Sequence, residues 1–222
     1  MQDRLLWLDL IRAVSAQLIV LHHLALYGPI AEHLAGLAPE TIGWLREYAR
    51  IAVQVFLVMS GFLVARRLRV DHAPSARSIL AGFGQRYLRL FVPFVAALGL
   101  VLLVAWPARL WATGDWIPAA PDTSVLLVHL LGLYDYLGVQ ALTAGAWYVT
   151  IDLQLHGLML LIVWGAGRIG VDAPVRFRAL TLIVSVTAAL SLLFFNRDPY
   201  WDVMPLYFFG SFAMGMAAAW LG

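Results

Sequence analysis

The chain has 222 residues, of which 62% are hydrophobic and 13% charged; its formal net charge is +2 and its mean hydropathy is +0.82. About a quarter of the residues of a soluble domain are charged, so this composition excludes an ordinary soluble protein and predicts an integral membrane protein. Cysteine is absent, which excludes disulfides and thiolate zinc sites.

Six apolar runs are suited to cross a bilayer as helices. They cover residues 5–27, 51–65, 88–105, 146–164, 180–195 and 204–221. The second run is short and needs Arg50 or Arg66 to reach the interface with its side chain. The expected fold class is therefore an all-α polytopic transmembrane helical bundle, which forms one domain over residues 1–222.

Two further stretches lie between the runs. Residues 125–133 are too few to cross a membrane and predict a re-entrant or interfacial helix. The proline-rich stretch 106–121 predicts a loop. His33, His72 and His129 fall in or near such connecting segments, so we expect them to be solvated.

The arginines predict the topology, because the chain contains no lysine. The segments after the second and fourth runs hold nine of them: Arg66, Arg67, Arg69, Arg77, Arg86, Arg89, Arg168, Arg176 and Arg178. The segments after the first, third and fifth runs hold only four arginines, together with eight acidic residues that include Asp115. The positive-inside rule then places the N-terminus and both basic loops in the cytoplasm, and six runs return the C-terminus to the same side.

Polar residues interrupt the first run. Arg12 and His23 are eleven residues apart, so an ideal helix presents them on one face about 16 Å from each other. Asp9 precedes Arg12 by three residues and can pair with it. Such groups at membrane depth usually face a protein interior or a wet cavity. The alternative is a structural ion pair plus a hydrogen-bonded histidine. We favour His23 as a general base, and His22 is the weaker candidate for that role. Arg12 is better suited to bind an anion.

The second and third runs carry ambiguous motifs. Ser60 stands beside Gly61, and small residues of this kind usually let helices pack closely. Arg86 and Arg89 are three residues apart at the cytoplasmic start of the third run. They are either interfacial anchors or a clamp for a phosphate-bearing cytoplasmic ligand, and the residues leave both open.

The fourth run predicts a helix that is polar on two sides. Tyr148, Asp152 and His156 recur every four residues, while Trp147 and Gln154 lie on a different side. Such a helix is expected to be buried and hydrogen-bonded. A metal site would need a third ligand, so we expect none.

Four of these blocks together resemble the acyltransferase-3 family of bacterial integral-membrane proteins. They are Leu8-Asp-Leu-Ile-Arg with His23, the Ser60-Gly-Phe-Leu segment, Arg86-Tyr-Leu-Arg-Leu, and the run from Trp147 to His156. The resemblance implies a multi-pass protein of the bacterial inner membrane. Such a protein transfers an acyl group, often acetyl, from cytoplasmic acyl-CoA to a hydroxyl on a cell-envelope glycan, a lipid-linked sugar or a small molecule.

The resemblance also implies roles for residues. His23 would be the catalytic histidine with Arg12 as its motif partner, and Arg86 and Arg89 would contact acyl-CoA. A supporting polar network would comprise Asp9, Ser60, Trp147, Tyr148, Asp152, Gln154 and His156. Acyl-CoA is then a co-substrate, with no tightly bound cofactor and no metal. Membrane lipid is an expected partner and nucleic acid is not.

Two departures from the family pattern stand out. Members usually read Trp-Ser-Leu-x-x-Glu-Glu-Gln-Phe-Tyr, where this chain has Asp152 for the first Glu and Leu153 for the second. Members also have about ten spans, so we expect a truncated relative or a chain that lacks its C-terminal third. The alternatives to an acyltransferase are a transporter or channel whose path is lined by Arg12 and His23, and a non-catalytic membrane scaffold.

Overall fold

The computed structural model describes residues 6–68, 71–112, 114, 117–170 and 172–222. Leu5, Arg69 and Asp115, which enter the expectations above, lie outside these residues. Within the described ranges the regular elements are all helices, and no strand occurs. The all-α fold class is therefore confirmed.

Nine α-helices follow one another in the described parts of the chain. They are α1 (Leu6–Leu26), α2 (Pro29–Leu37), α3 (Pro39–Glu47), α4 (Ile51–Arg67), α5 (Ala76–Trp111), α6 (Thr123–Leu131), α7 (Ala146–Ile169), α8 (Ala173–Leu193) and α9 (Pro205–Leu221). Two short 3-10 turns, Phe195–Arg197 and Pro199–Trp201, connect α8 to α9. Sequence patterns did not predict α2 and α3, which have nine residues each.

Membrane-spanning length is reached by five segments among the described residues. They are Leu6–Leu26, Pro39–Arg67, Ala76–Trp111, Ala146–Ile169 and Ala173–Arg197. The sixth predicted run forms α9, whose 17 residues span about 25 Å, slightly less than a hydrocarbon core of about 30 Å. The protein is an integral, multi-pass membrane protein, as its composition predicts.

The predicted loop over residues 106–121 is wrong in its first part, because α5 continues to Trp111. Pro107 lies inside this helix. A proline removes one helical hydrogen bond, which membrane helices tolerate when neighbouring groups satisfy the backbone. After the helix, Nε of Arg109 donates to the carbonyl oxygen of Pro118 at 2.8 Å and ties the following segment to the helix end.

The first of two compact units comprises the residues up to Arg66 together with Met214–Gly222. Helices α1, α2 and α3 contact one another within it. Gly215 of α9 lies against the backbone of α4 at Val58, where any side chain would collide with the Val58 carbonyl. Glycine at this point therefore allows two helix backbones to approach closely.

The second unit comprises Arg67–Ala213 and contains α5, α7 and α8. Gly82 of α5 lies against Leu160 of α7, and Gly157 of α7 lies against Phe83. Helices α5 and α7 are therefore antiparallel neighbours, and α8 packs on α7. A buried apolar core fills this unit, formed by Phe91, Phe94, Leu98, Tyr134, Leu142, Ala146 and Leu153.

His129 of α6 is fully buried, so the expectation that it is solvated is wrong. Its Nδ1 lies 2.8 Å from the carbonyl oxygen of Val125. A carbonyl only accepts, so Nδ1 carries the proton. Its Nε2 accepts the backbone N–H of Leu142 at 3.1 Å, and its ring stacks on Tyr134 with centroids 4.6 Å apart. The imidazole thus joins α6 to the segment before α7.

We expect His129→Ala to lower the free energy of unfolding by about 2–4 kcal/mol, because it leaves the buried Leu142 N–H without an acceptor and removes a packed ring. Thermal unfolding of the purified protein in detergent measures this as a lower melting temperature. His33→Ala removes an exposed histidine of α2 and should leave the melting temperature unchanged. Equal melting temperatures for the two variants would contradict the structural role of His129.

Candidate functional site

The polar residues of the first unit begin with the predicted pair on α1. Nη1 of Arg12 lies 3.5 Å from Oδ1 of Asp9, which confirms the pairing. The two side chains are 44% and 56% exposed, respectively. An exposed pair of this kind contributes less than about 1 kcal/mol. The two charged groups therefore pair with each other at the surface of α1 and not in the core of the unit.

His23 lies in the last turn of α1 and is half-buried. Its ring stacks on Tyr27 with centroids 6.0 Å apart and planes 23° apart. Because α1 is continuous from Leu6 to Leu26, Arg12 and His23 share one side of it and remain about 16 Å apart. The structure thus places them on one helix without bringing them together.

Two other candidates of this unit differ in their surroundings. His22 is buried, and its Nδ1 lies 2.8 Å from the carbonyl oxygen of Leu45. Because His22 is buried and bound to α3, its ring is less accessible than that of the half-buried His23. Ser60 lies on α4 and is also half-buried.

An ion pair between Arg86 of α5 and Asp152 of α7 is the main charged contact of the second unit. It joins Nη2 of the guanidinium to Oδ2 of the carboxylate, and the side chains are 22% and 3% exposed, respectively. A carboxylate buried this deeply is stable in its charged form only beside a partner of opposite charge. The pair therefore gives Arg86 a role in joining α5 to α7. This role is additional to the interfacial anchor and the phosphate clamp that the sequence left open.

Arg89 and His156 complete a charged cluster around this pair. Arg89, one turn further along α5, is exposed. His156, one turn from Asp152 on α7, is half-buried and interacts electrostatically with both arginines and with Asp152. In the described ranges its buried Nδ1 has no hydrogen-bond partner. No group of three metal-ligating side chains occurs among these same residues.

The remaining polar side chains of α7 bind to other parts of the second unit. The Tyr136 hydroxyl donates to Oε1 of Gln154 at 3.0 Å. The Thr150 hydroxyl donates to the Trp147 carbonyl at 2.8 Å and lies 3.5 Å from the hydroxyl of Tyr134. Thr150 is buried on a different side of α7 from the ion pair. The helix is therefore polar on two sides and buried, as its sequence predicts.

Trp147 and Tyr148 form an aromatic group at the start of α7. Their rings are 6.4 Å apart at an edge-to-face angle, and Trp147 also lies 5.8 Å from the ring of Phe208. These contacts anchor the first turn of α7 in the second unit.

A group of residues between α6 and α7 was missed by sequence reasoning. Burial raises the pKa of Asp135, and the nearby Asp202 carboxylate raises it further, while a hydrogen bond from Tyr134 acts in the opposite direction. Burial also raises the pKa of Tyr134. The only local signal was the Tyr-Asp-Tyr triplet that begins at Tyr134, and such a triplet does not predict burial.

A match to one known protein family extends over both units. Residues 5–219, nearly the whole chain, match the model of the acyltransferase-3 family, which is described as an acyltransferase domain. No curated protein matches the chain, and no solved structure does. The matched range includes the Arg12 and His23 helix as well as the Arg86–Asp152 pair.

We expect Asp152→Ala to lower the free energy of unfolding by about 3–5 kcal/mol, because it removes the carboxylate that neutralises Arg86 in a buried setting. The cycle consists of Asp152→Ala, Arg86→Ala and the double variant with both substitutions. The double variant should be more stable than the sum of the two single effects predicts, since it removes both charges. Melting temperatures in detergent measure the cycle, with the exposed Arg89→Ala as control. Strictly additive effects of the two substitutions would contradict a coupled pair.

Proposed function

Because the chain belongs to the acyltransferase-3 family, we propose that this membrane acyltransferase moves an acyl group, typically acetyl, from cytoplasmic acyl-CoA to a hydroxyl group. The acceptor is a cell-envelope glycan, a lipid-linked sugar or a smaller molecule, and the membrane is the bacterial inner membrane. The observation that carries the proposal is the half-buried His23 on the same continuous helix as Arg12.

The proposed chemistry uses His23 as a general base. Acyl transfer from a thioester to an alcohol needs a base for the hydroxyl proton and stabilisation of the oxyanion that forms. His23 takes the proton while the hydroxyl oxygen attacks the thioester carbonyl carbon. The carbon–sulfur bond then breaks, and CoA leaves as a thiolate that receives the proton from His23. The products are the ester and CoA, and the imidazole returns to its neutral form.

Arg12 has a different role in this proposal. A distance of about 16 Å along the helix is too large for Arg12 to contact the oxyanion beside His23. We propose that it holds a phosphate or the pantetheine arm of CoA, because its exposed pair with Asp9 is weak and guanidinium binds phosphate well. By the topology predicted from the arginines, Arg12 is nearer the cytoplasm, from which the donor comes.

Arg86 and Arg89 differ in their availability to a ligand. Arg86 is paired with a buried carboxylate, whereas Arg89 is exposed. We therefore propose that, of these two arginines, Arg89 contacts a phosphate of acyl-CoA and Arg86 supports it by holding α5 on α7. Acyl-CoA is a co-substrate in this account, and no bound cofactor is required.

His23→Ala should lower acyl transfer by about 10³-fold, because a positioned general base contributes about 10²- to 10⁴-fold. The assay measures CoA release from acetyl-CoA in the presence of envelope glycans and small alcohols, with the exposed His33→Ala as control. A folded His23→Ala protein with the wild-type rate would overturn the proposal. Solute movement in vesicles without CoA release would favour a transporter, and altered assembly with neither activity would favour a scaffold.

Arg89→Ala should raise the KM for acetyl-CoA by about tenfold and leave kcat nearly unchanged, since it removes a charge-assisted contact to the bound donor. Steady-state kinetics with acetyl-CoA and with its 3′-dephospho analogue test whether the 3′-phosphate is the contact. If it is, the variant and the wild type should have similar KM values for the analogue. Arg178→Ala removes an exposed arginine of α8 and serves as control; an unchanged KM in Arg89→Ala would disprove the assignment.

A further inference from the structure

The last turn of α1, which carries His23, is tied to the two helices that follow it. A helix end leaves backbone carbonyls without donors from its own helix. Arg46 of α3 supplies donors there: its Nε donates to the Ala25 carbonyl at 2.7 Å, and its Nη2 donates to the Ala31 carbonyl at 3.4 Å. One guanidinium therefore joins the end of α1 to α2 and α3.

A second hydrogen bond holds the same turn. Nδ1 of the buried His22 lies 2.8 Å from the carbonyl oxygen of Leu45, the residue before Arg46. Because a carbonyl only accepts, the proton is on Nδ1. Adjacent residues of α3 thus hold two points of α1, the His22 ring and the Ala25 carbonyl. His23 lies between those two points in the chain.

These bonds matter because α1 has few other packing contacts. Within its described length, four residues are buried: Leu8, Ser15, His22 and Ala25. Two of the four are in the last turns, beside His23. The positive charge of Arg46 at the C-terminal end of α1 also faces the negative end of the helix dipole, which strengthens the bond to Ala25.

We infer that Arg46 is a positioning residue for His23, fixing the last turn of α1 so that the imidazole is held in place for the acceptor hydroxyl. This inference rests on the proposed role of His23 as the base. Arg46 acts through the backbone and touches no substrate, so its loss should lower kcat without weakening donor binding. A displacement of about 1 Å at a reacting group can lower a rate by about 10²-fold.

The test compares Arg46→Ala, Arg46→Lys and the control Arg50→Ala in the full chain, with acetyl-CoA as donor. We expect Arg46→Ala to lower kcat by about 10- to 100-fold and to leave the KM for acetyl-CoA within about twofold of the wild type. Arg46→Lys should be intermediate, because an ammonium keeps the charge but not the fork that reaches two carbonyls. Arg50→Ala removes a nearby exposed arginine and should keep the wild-type kcat.

Chemical rescue separates positioning from a loss of folded protein. Millimolar guanidinium should restore part of the kcat of Arg46→Ala and should not affect Arg50→Ala. Size-exclusion profiles and melting temperatures establish the folded fraction of each variant. A wild-type kcat in Arg46→Ala would overturn the inference. A decrease in kcat that equals the decrease in the folded fraction, and that guanidinium does not restore, would also overturn it.

Two results keep this inference distinct from the proposed function. If His23→Ala transfers acyl groups at the wild-type rate, the proposed function fails whatever Arg46→Ala does. If His23→Ala is inactive and Arg46→Ala has the wild-type kcat, only the positioning role fails. Should Arg46→Ala not fold, Arg46→Lys decides: a wild-type kcat would overturn the inference, and a lowered kcat with unchanged KM would support it.

Discussion

The ion pair between Arg86 and Asp152 is the contact on which the charged part of the second unit depends. Removing two ions from water costs several kcal/mol each, and their attraction offsets this cost only at close range. The close approach of α5 and α7, where Gly157 lies against Phe83, makes that range possible. Arg86 is therefore paired with Asp152, whereas Arg89, one turn further along α5, is exposed.

The same constraint bears on the residues of α7 that follow one another at positions 152 and 153. A polar group in a membrane-embedded helix has to find its partner within the protein. Asp152 has such a partner in Arg86. The next residue, Leu153, lies in the apolar core with Phe91 and Phe94, where a carboxylate would be buried among hydrocarbon. An apolar residue at position 153 thus agrees with the local packing.

Two local polar arrangements differ in how they are stabilised. In the second unit, the buried charge of Asp152 is balanced by the charge of Arg86. In the first unit, the polar groups near the end of α1 bind backbone carbonyls: His22 binds the carbonyl of Leu45, and Arg46 binds the carbonyls of Ala25 and Ala31. Of the two adjacent histidines, His22 is thus buried and bound to a carbonyl, whereas His23 is half-buried.

The sequence by itself determined the membrane class, the main helices, the Asp9–Arg12 pair and the family, because each depends on run length, on spacing within one helix or on blocks in a fixed order. Only the tertiary structure decided that Arg86 pairs with Asp152, 66 residues away, and that His129 of α6 is buried against the segment before α7. Contacts of this kind depend on how neighbouring helices are aligned and how closely they pack. The periodicity of a single helix carries no information about either, so no local pattern predicted them.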